Sequence, residues 1–220
     1  MADPNLSSLL KWSVENSSAS AEDPAAAPPQ TSLNSEALAA LFGGPSDADL
    51  MISSMQAVTS SDPELTLEDK LVAFDNFEQL IENLDNANNL GPLALWSPLL
   101  GLLEHENGEI KMMAAWCVGT AVQNNVSSQE RLLASNGIEK LVKVATGKGE
   151  GSATRRKACY AISSAVRNYQ SAMDVLVKAL GEVEGWKGSE EIQGDVDASD
   201  MDAVDVIIGR LREEAKGEKA

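Results

Sequence analysis

The side chains best suited to nucleophilic or soft-metal chemistry are few: two cysteines, Cys117 and Cys159, and one histidine, His105. Both cysteines lie in apolar stretches of helical periodicity and read as buried thiols. His105 stands between Glu104 and Glu106, just ahead of Asn107-Gly108, and reads as a loop residue with no companions for a metal ion. A single histidine argues against His-based metal sites and acid–base dyads, and no convergent polar cluster offers a nucleophile with a base. The expectation is a protein without catalytic residues, metal or cofactor. What the polar residues can do is hydrogen-bond to a partner. The string Glu82, Asn83, Leu84, Asp85, Asn86, Ala87, Asn88, Asn89 places two acids and four asparagines around one small residue, in what reads as a solvated connection where Ala87 would let another surface approach. Asn83, Asn124 and Asn168 recur at the ends of long helical segments and would form a ladder along one edge, with helix C-capping as the local alternative. Gln123, Asn125 and Arg167 would lie beside them. The cluster Arg155-Arg156-Lys157 opens a helix, where the dipole disfavours cations; it reads as a solvated face, with contact to an acidic patch as the sharper alternative.

Charge bounds the partners. The chain holds 17 Lys+Arg against 34 Asp+Glu, a formal net charge of −17. Nucleic-acid backbones and anionic lipid both require clustered positive charge, so neither is expected as a partner. The imbalance is segregated: residues 1–110 hold 18 acids and two bases, residues 111–181 four acids and ten bases, and residues 182–220 twelve acids and five bases. Such a dipole can orient a partner during encounter. No apolar run is long enough for a membrane span, and Leu6–Val14 is too short and too polar for a signal segment. A cytoplasmic protein with free thiols is the expectation.

Positioning those residues falls to helices, because no segment alternates with a period of two. Residues 1–16 read as a short amphipathic segment (Leu6, Leu9, Leu10, Trp12, Val14), and 17–35, rich in Ser, Ala and Pro, as a flexible linker. Residues 36–65 would supply capping helices, Glu36–Phe42 and Asp47–Val58, the latter with Leu50, Met51, Met55 and Val58 on one side. Thr66 with Asp69 forms a capping box ahead of a stripe of Leu67, Leu71, Phe74, Leu80, Ile81 and Leu84. Helical segments at Leu93–Leu103, Glu109–Asn125, Ser127–Ala134, Ile138–Thr146, Ser152–Asn168 and Ser171–Leu180 follow. Residues 182–199 read as an acidic linker, and 200–220 as a helix and tail whose Met201, Val204, Ile207, Ile208 and Leu211 would cap the open end.

The chain also resembles itself. A shift of 44 residues sets Trp116-Cys117-Val118-Gly119-Thr120-Ala121-Val122-Gln123-Asn124 over Tyr160-Ala161-Ile162-Ser163-Ser164-Ala165-Val166-Arg167-Asn168, and Gly137 over Gly181. A shift of 41 maps Lys70, Ala73, Ile81 and Asn83 onto Lys111, Ala114, Val122 and Asn124. These periods fit armadillo or HEAT repeats. The predicted fold is all-α, an armadillo/HEAT-like helical solenoid of about three repeats over 66–181. Trp116 and Tyr160, matched between repeats, read as core.

Particular strings carry a further resemblance. Leu71-Val72-Ala73-Phe74-Asp75-Asn76-Phe77-Glu78, Leu80 to Asn89, Gly119 to Asn125, Leu9-Leu10-Lys11-Trp12-Ser13 and Leu41-Phe42-Gly43-Gly44 closely resemble the nucleotide exchange factors of the fungal Fes-type and animal heat-shock-binding-protein type. That resemblance implies an armadillo co-chaperone that grips the ATPase domain of a cytosolic, DnaK-type 70-kDa heat-shock chaperone, speeds ADP release and so frees the client. It also implies that the N-terminal segment helps displace the bound polypeptide, docking back on the solenoid being the alternative. Longer members carry extra repeats where this chain turns acidic after Gly181, so contacts from that part are not carried over. A monomer is expected. The competing reading is an importin-like peptide adaptor without exchange activity; it predicts Trp–Asn pairs four residues apart, whereas Trp116 is followed by Thr120 and Tyr160 by Ser164.

Overall fold

In a computed structural model of the chain, residues 44–217 are described, and their regular structure is entirely helical. The expectations for 1–16, 17–35 and 36–43 lie outside the described residues. From Asp47 onward the chain forms one unit. Its helices are α1 (Asp47–Thr59), α2 (Leu67–Ile81), α3 (Leu84–Asn89), α4 (Trp96–Gly101), α5 (Gly108–Val122), α6 (Val126–Ala134), α7 (Gly137–Thr146), α8 (Ser152–Val166), α9 (Gln170–Gly181) and α10 (Met201–Ala215). Short 3-10 turns occupy Leu102–Glu104 and Glu190–Ile192.

Local chemistry starts most of these helices. Thr66 accepts from the Asp69 N–H at 3.2 Å while Asp69 accepts from the Thr66 N–H at 3.0 Å, so the capping box satisfies two otherwise orphaned donors. Asn83, Asn107, Asn125 and Asp200 cap α3, α5, α6 and α10 through their side-chain oxygens. Asn136 takes a left-handed φ of 53° between α6 and α7, the stop and restart expected at Asn136-Gly137.

The long helices α2, α5, α8 and α10 stack side by side in chain order, and the shorter helices pack behind them, as in an armadillo-like solenoid. Small residues allow the close approach. At Gly119 of α5 a Cβ would lie 2.5 Å from Cε1 of Tyr160 and 3.1 Å from Cα of Ala161 on α8. Ala114, Ala115, Ala121, Ala158, Ala161 and Ala165 are all buried along these helices. One continuous core runs from Met51 on α1 to Ala215 on α10, with Cys117 and Cys159 inside it. Burial raises both thiols: Cys117 well above its ordinary range, with the Glu78 carboxylate adding to the effect, and Cys159 to about 11.

Several expectations change here. Leu67 and Leu84 are exposed, and Phe77 takes the buried place on α2, because α2 faces α1 and α5 across Phe74, Phe77 and Ile81. Leu50 is exposed while Met51, Met55 and Val58 are buried. Residues 182–199 do not form a bare linker. Trp186 and Ala198 are buried, the Asn168 N–H donates to the Ala198 carbonyl, and Gln170 holds both Val196 and Ala198 through its side-chain amide. The indole N–H of Trp186 donates to Glu214 at 3.1 Å, and Arg210 lies over its ring at 4.0 Å while pairing with Glu191 and Glu214. The acidic segment is thereby strapped to α10, which packs on α7 and α8 and covers the end of the stack.

Candidate interaction site

Most of the Glu82–Asn89 string is a capped helix, α3, rather than a loop, with Glu82 closing α2. Asn83 is the N-cap of α3, accepting from the Asp85 N–H at 2.9 Å. Glu82, Asn83, Asp85, Asn88 and Asn89 are exposed, but Asn86 and Ala87 face inward at 7 % and 3 % exposure. The Asn86 amide donates to Asp47 of α1 at 2.8 Å and to the Leu80 carbonyl at 3.0 Å, tying three elements together. The Ala87 side chain is packed inward, and its smallness serves the packing of α3 on the core.

The asparagine ladder has two rungs, not three. Asn124 and Asn168 share a left-handed backbone, φ 52° and 56°, immediately beyond α5 and α8, a conformation asparagine tolerates better than most residues. Asn83 has an extended backbone and does the job that Asn125 does in the next repeat. Asn125 is 5 % exposed, and its side chain is spent on the Ser128 N–H, the Ser128 hydroxyl and the Ala121 carbonyl. Arg167 is bound inside the molecule, to Ser163, Met201 and Asp205. Gln123, Asn124 and Asn168 remain on the surface.

The sequence reading missed what lies beside Gln123. Met112, Trp116 and Thr120 form a stripe on α5 outside the core, continued by its C-cap Gln123, and Trp116 and Tyr160 are half-buried rather than interior. They line a recess of about 450 Å³ whose α2 side is Glu78 and Glu82. Glu78, 5 % exposed, accepts from the Thr120 hydroxyl at 2.6 Å. Tyr160 donates to Gln123 at 3.1 Å. The Lys157 ammonium sits 3.2 Å from the centroid of the Trp116 ring and 5.9 Å from that of Tyr160. Burial lowers its pKa, with the Glu78 charge working in the opposite direction. Arg155 of the same basic cluster turns away, donating to the Ala145 carbonyl, while Arg156 is exposed. Four-residue spacing along α5 is the signal that would have placed Trp116 beside Thr120.

No metal-competent group of His, Cys, Asp or Glu occurs among the described residues, and the His105 imidazole accepts from the Asn107 N–H. None of the described helices is long and apolar enough to cross a membrane. The lining of the recess is polar and aromatic.

Residues 6–90 match the family described as nucleotide exchange factor Fes1. The chain is 58 % identical over 214 residues to the Hsp70 nucleotide exchange factor FES1 of Gibberella zeae, covering 97 % of this chain and 98 % of that protein. It is 49 % identical to Hsp70 nucleotide exchange factor fes-1 of Neurospora crassa, over 97 % of this chain and 99 % of that one. With the FES1 protein of Saccharomyces cerevisiae it shares 44 % identity over 79 % of this chain but only 59 % of the yeast protein. Agreement at this level along almost the whole of two relatives, on an armadillo-like stack, leaves one conclusion: the chain belongs to the Fes1 family of nucleotide exchange factors.

Proposed function

We propose that this protein is a co-chaperone, a nucleotide exchange factor that binds the ATPase domain of a cytosolic 70-kDa heat-shock chaperone, accelerates ADP release and so promotes client release and folding. The observation that carries this is the match, over nearly all of each chain, to relatives named Hsp70 nucleotide exchange factors. Such a protein forms no covalent intermediate and needs no nucleophile. It works by binding the open, nucleotide-poor chaperone more tightly than the ADP-closed form, since only differential affinity moves a conformational equilibrium. A stack of helices sharing one core suits that task, because a preformed surface loses little entropy on binding. The contact surface would consist of the exposed Glu82, Asn83, Asp85, Asn88 and Asn89, continuing through Gln123 and Asn124 to Asn168. Asn86, Ala87, Asn125 and Arg167 would act indirectly, by holding α3, α6 and α10 in place. We further propose that the protein acts as a monomer in the cytoplasm.

Stopped-flow release of fluorescent ADP from a purified 70-kDa chaperone tests the reading. The folded protein should accelerate release in a saturable manner, and Asn88→Arg on the outer side of α3 should raise the half-saturating concentration. A folded wild type that leaves the release rate unchanged at saturating concentration would overturn the proposal.

A further inference from the structure

A cation already stands beside the recess between α2, α5 and α8. The Lys157 ammonium lies on the face of the Trp116 ring, inside the field of the nearly buried Glu78 carboxylate. A second carboxylate, Glu82, stands one helical turn beyond Glu78, is exposed, and has no ion-pair partner among the described residues. Two carboxylates against one ammonium leave the recess net negative. Its aromatic walls offer electron-rich faces, which attract cations and repel anions.

We infer that this recess is a socket for a basic side chain of the chaperone, whose cationic head would be held by Glu82 and Glu78 against the Trp116 and Tyr160 rings, with the Lys157 charge on the Trp116 ring repelling it. The inference rests on the exchange reading for the identity of the partner and deepens it by naming the chemistry of one contact. It gives Lys157 an unusual sign. A lysine that itself contacted an acidic patch would help binding, whereas a lysine whose charge flanks the socket opposes it.

The experiment measures direct binding of the full chain to the purified chaperone, separately from nucleotide release. Lys157→Met keeps the aliphatic stem over Trp116 and removes the charge. Glu82→Lys reverses the exposed carboxylate, and Glu82→Gln neutralises it. Circular dichroism melts establish that each variant is folded. Lys157→Met should bind about threefold or more tighter, and Glu82→Lys about tenfold weaker with a flatter salt dependence. Glu82→Gln should fall between Glu82→Lys and wild type. Weaker binding by Lys157→Met, or unchanged binding by Glu82→Lys, would overturn the socket. Binding without accelerated ADP release would overturn the exchange reading while the order of the variants still decides the socket. No binding by wild type would sink both.

Discussion

Gly119→Ala adds one methyl group at the tightest point between α5 and α8, and the structure sets its cost. The new Cβ would meet Tyr160 at 2.5 and 2.6 Å and the Ala161 Cα at 3.1 Å. Carbon atoms rest about 3.5–4.0 Å apart, so the Tyr160 ring must retreat by roughly 1 Å. The core side is filled, so it can retreat only toward the recess, which breaks its 3.1 Å hydrogen bond to Gln123. Overpacking costs about 1–3 kcal/mol, and the lost hydrogen bond about 1 kcal/mol. Alanine's helix propensity returns about 1 kcal/mol. The net expectation is a loss of about 1–3 kcal/mol. At roughly 2–4 °C per kcal/mol for a domain of this size, the melting temperature should fall by about 2–12 °C. Gly209→Ala is the internal control: it also lies within a helix, but its Cβ would meet nothing within 4 Å, so it should stabilise by about 0.5–1 kcal/mol. Urea titrations of both variants followed by circular dichroism would decide. Should Gly119→Ala prove as stable as wild type, the argument that close approach at this glycine sets the spacing of α5 and α8 fails.

Ala87→Arg would place a guanidinium in the core beneath α3 and should lower stability by about 3 kcal/mol or more, visible as a lost or strongly shifted melt; it reports on folding, not on a contact surface. Thr66→Ala breaks the capping box and should cost about 1 kcal/mol in the urea midpoint. Cys159 is raised to about 11 in the folded protein, so the folded state holds its proton at a pH where the unfolded thiol has lost it. That contribution is intact below pH 9 and is lost as pH rises toward 11, so Cys159→Ala should flatten the fall in stability over that window. By the same burial, thiol labelling of Cys117 and Cys159 at pH 8 should be slow in buffer and rapid in denaturant.

Features written within a few residues of one another were legible in the sequence. The Thr66–Asp69 box is an i to i+3 exchange, and the Asn136-Gly137 break depends on backbone preference alone. The match of Trp116–Asn124 with Tyr160–Asn168 survived into three dimensions down to the left-handed asparagine at each end. The first junction defeated the same method. There the chain passes from a helical Glu82 straight into an extended Asn83, without the left-handed residue that Asn124 supplies, so a shift of 41 pairs Asn83 with the wrong neighbour. The inward turn of Asn86 and Ala87 was not legible, because it depends on α1, whose Asp47 accepts from Asn86 across 39 residues. Trp186 was hidden for a related reason: few apolar neighbours precede or follow it, and its burial depends on Arg210 and Glu214 of a later helix. Trp116 and Tyr160 misled by composition, since aromatic residues recurring in register satisfy a core and a surface groove equally well.

Gln129 of α6 sends one side-chain amide to the carbonyls of Ser164 and Ala165 at 3.1 Å and of Arg167 at 3.4 Å. A helix end normally frays first, because its last carbonyls have no partner of their own. Here the donor for the last turn of α8 belongs to the preceding layer, and Thr154 reaches back from the start of α8 to the Gly108 carbonyl, binding its other end to the same neighbour. Neither layer can loosen at its ends without the other. Amide exchange should accordingly show α5, α6 and α8 opening as one event rather than as separate helices. On the proposed exchange reading, a surface that selects its partner's open form must not yield first, and this shared closure stiffens the middle of the stack.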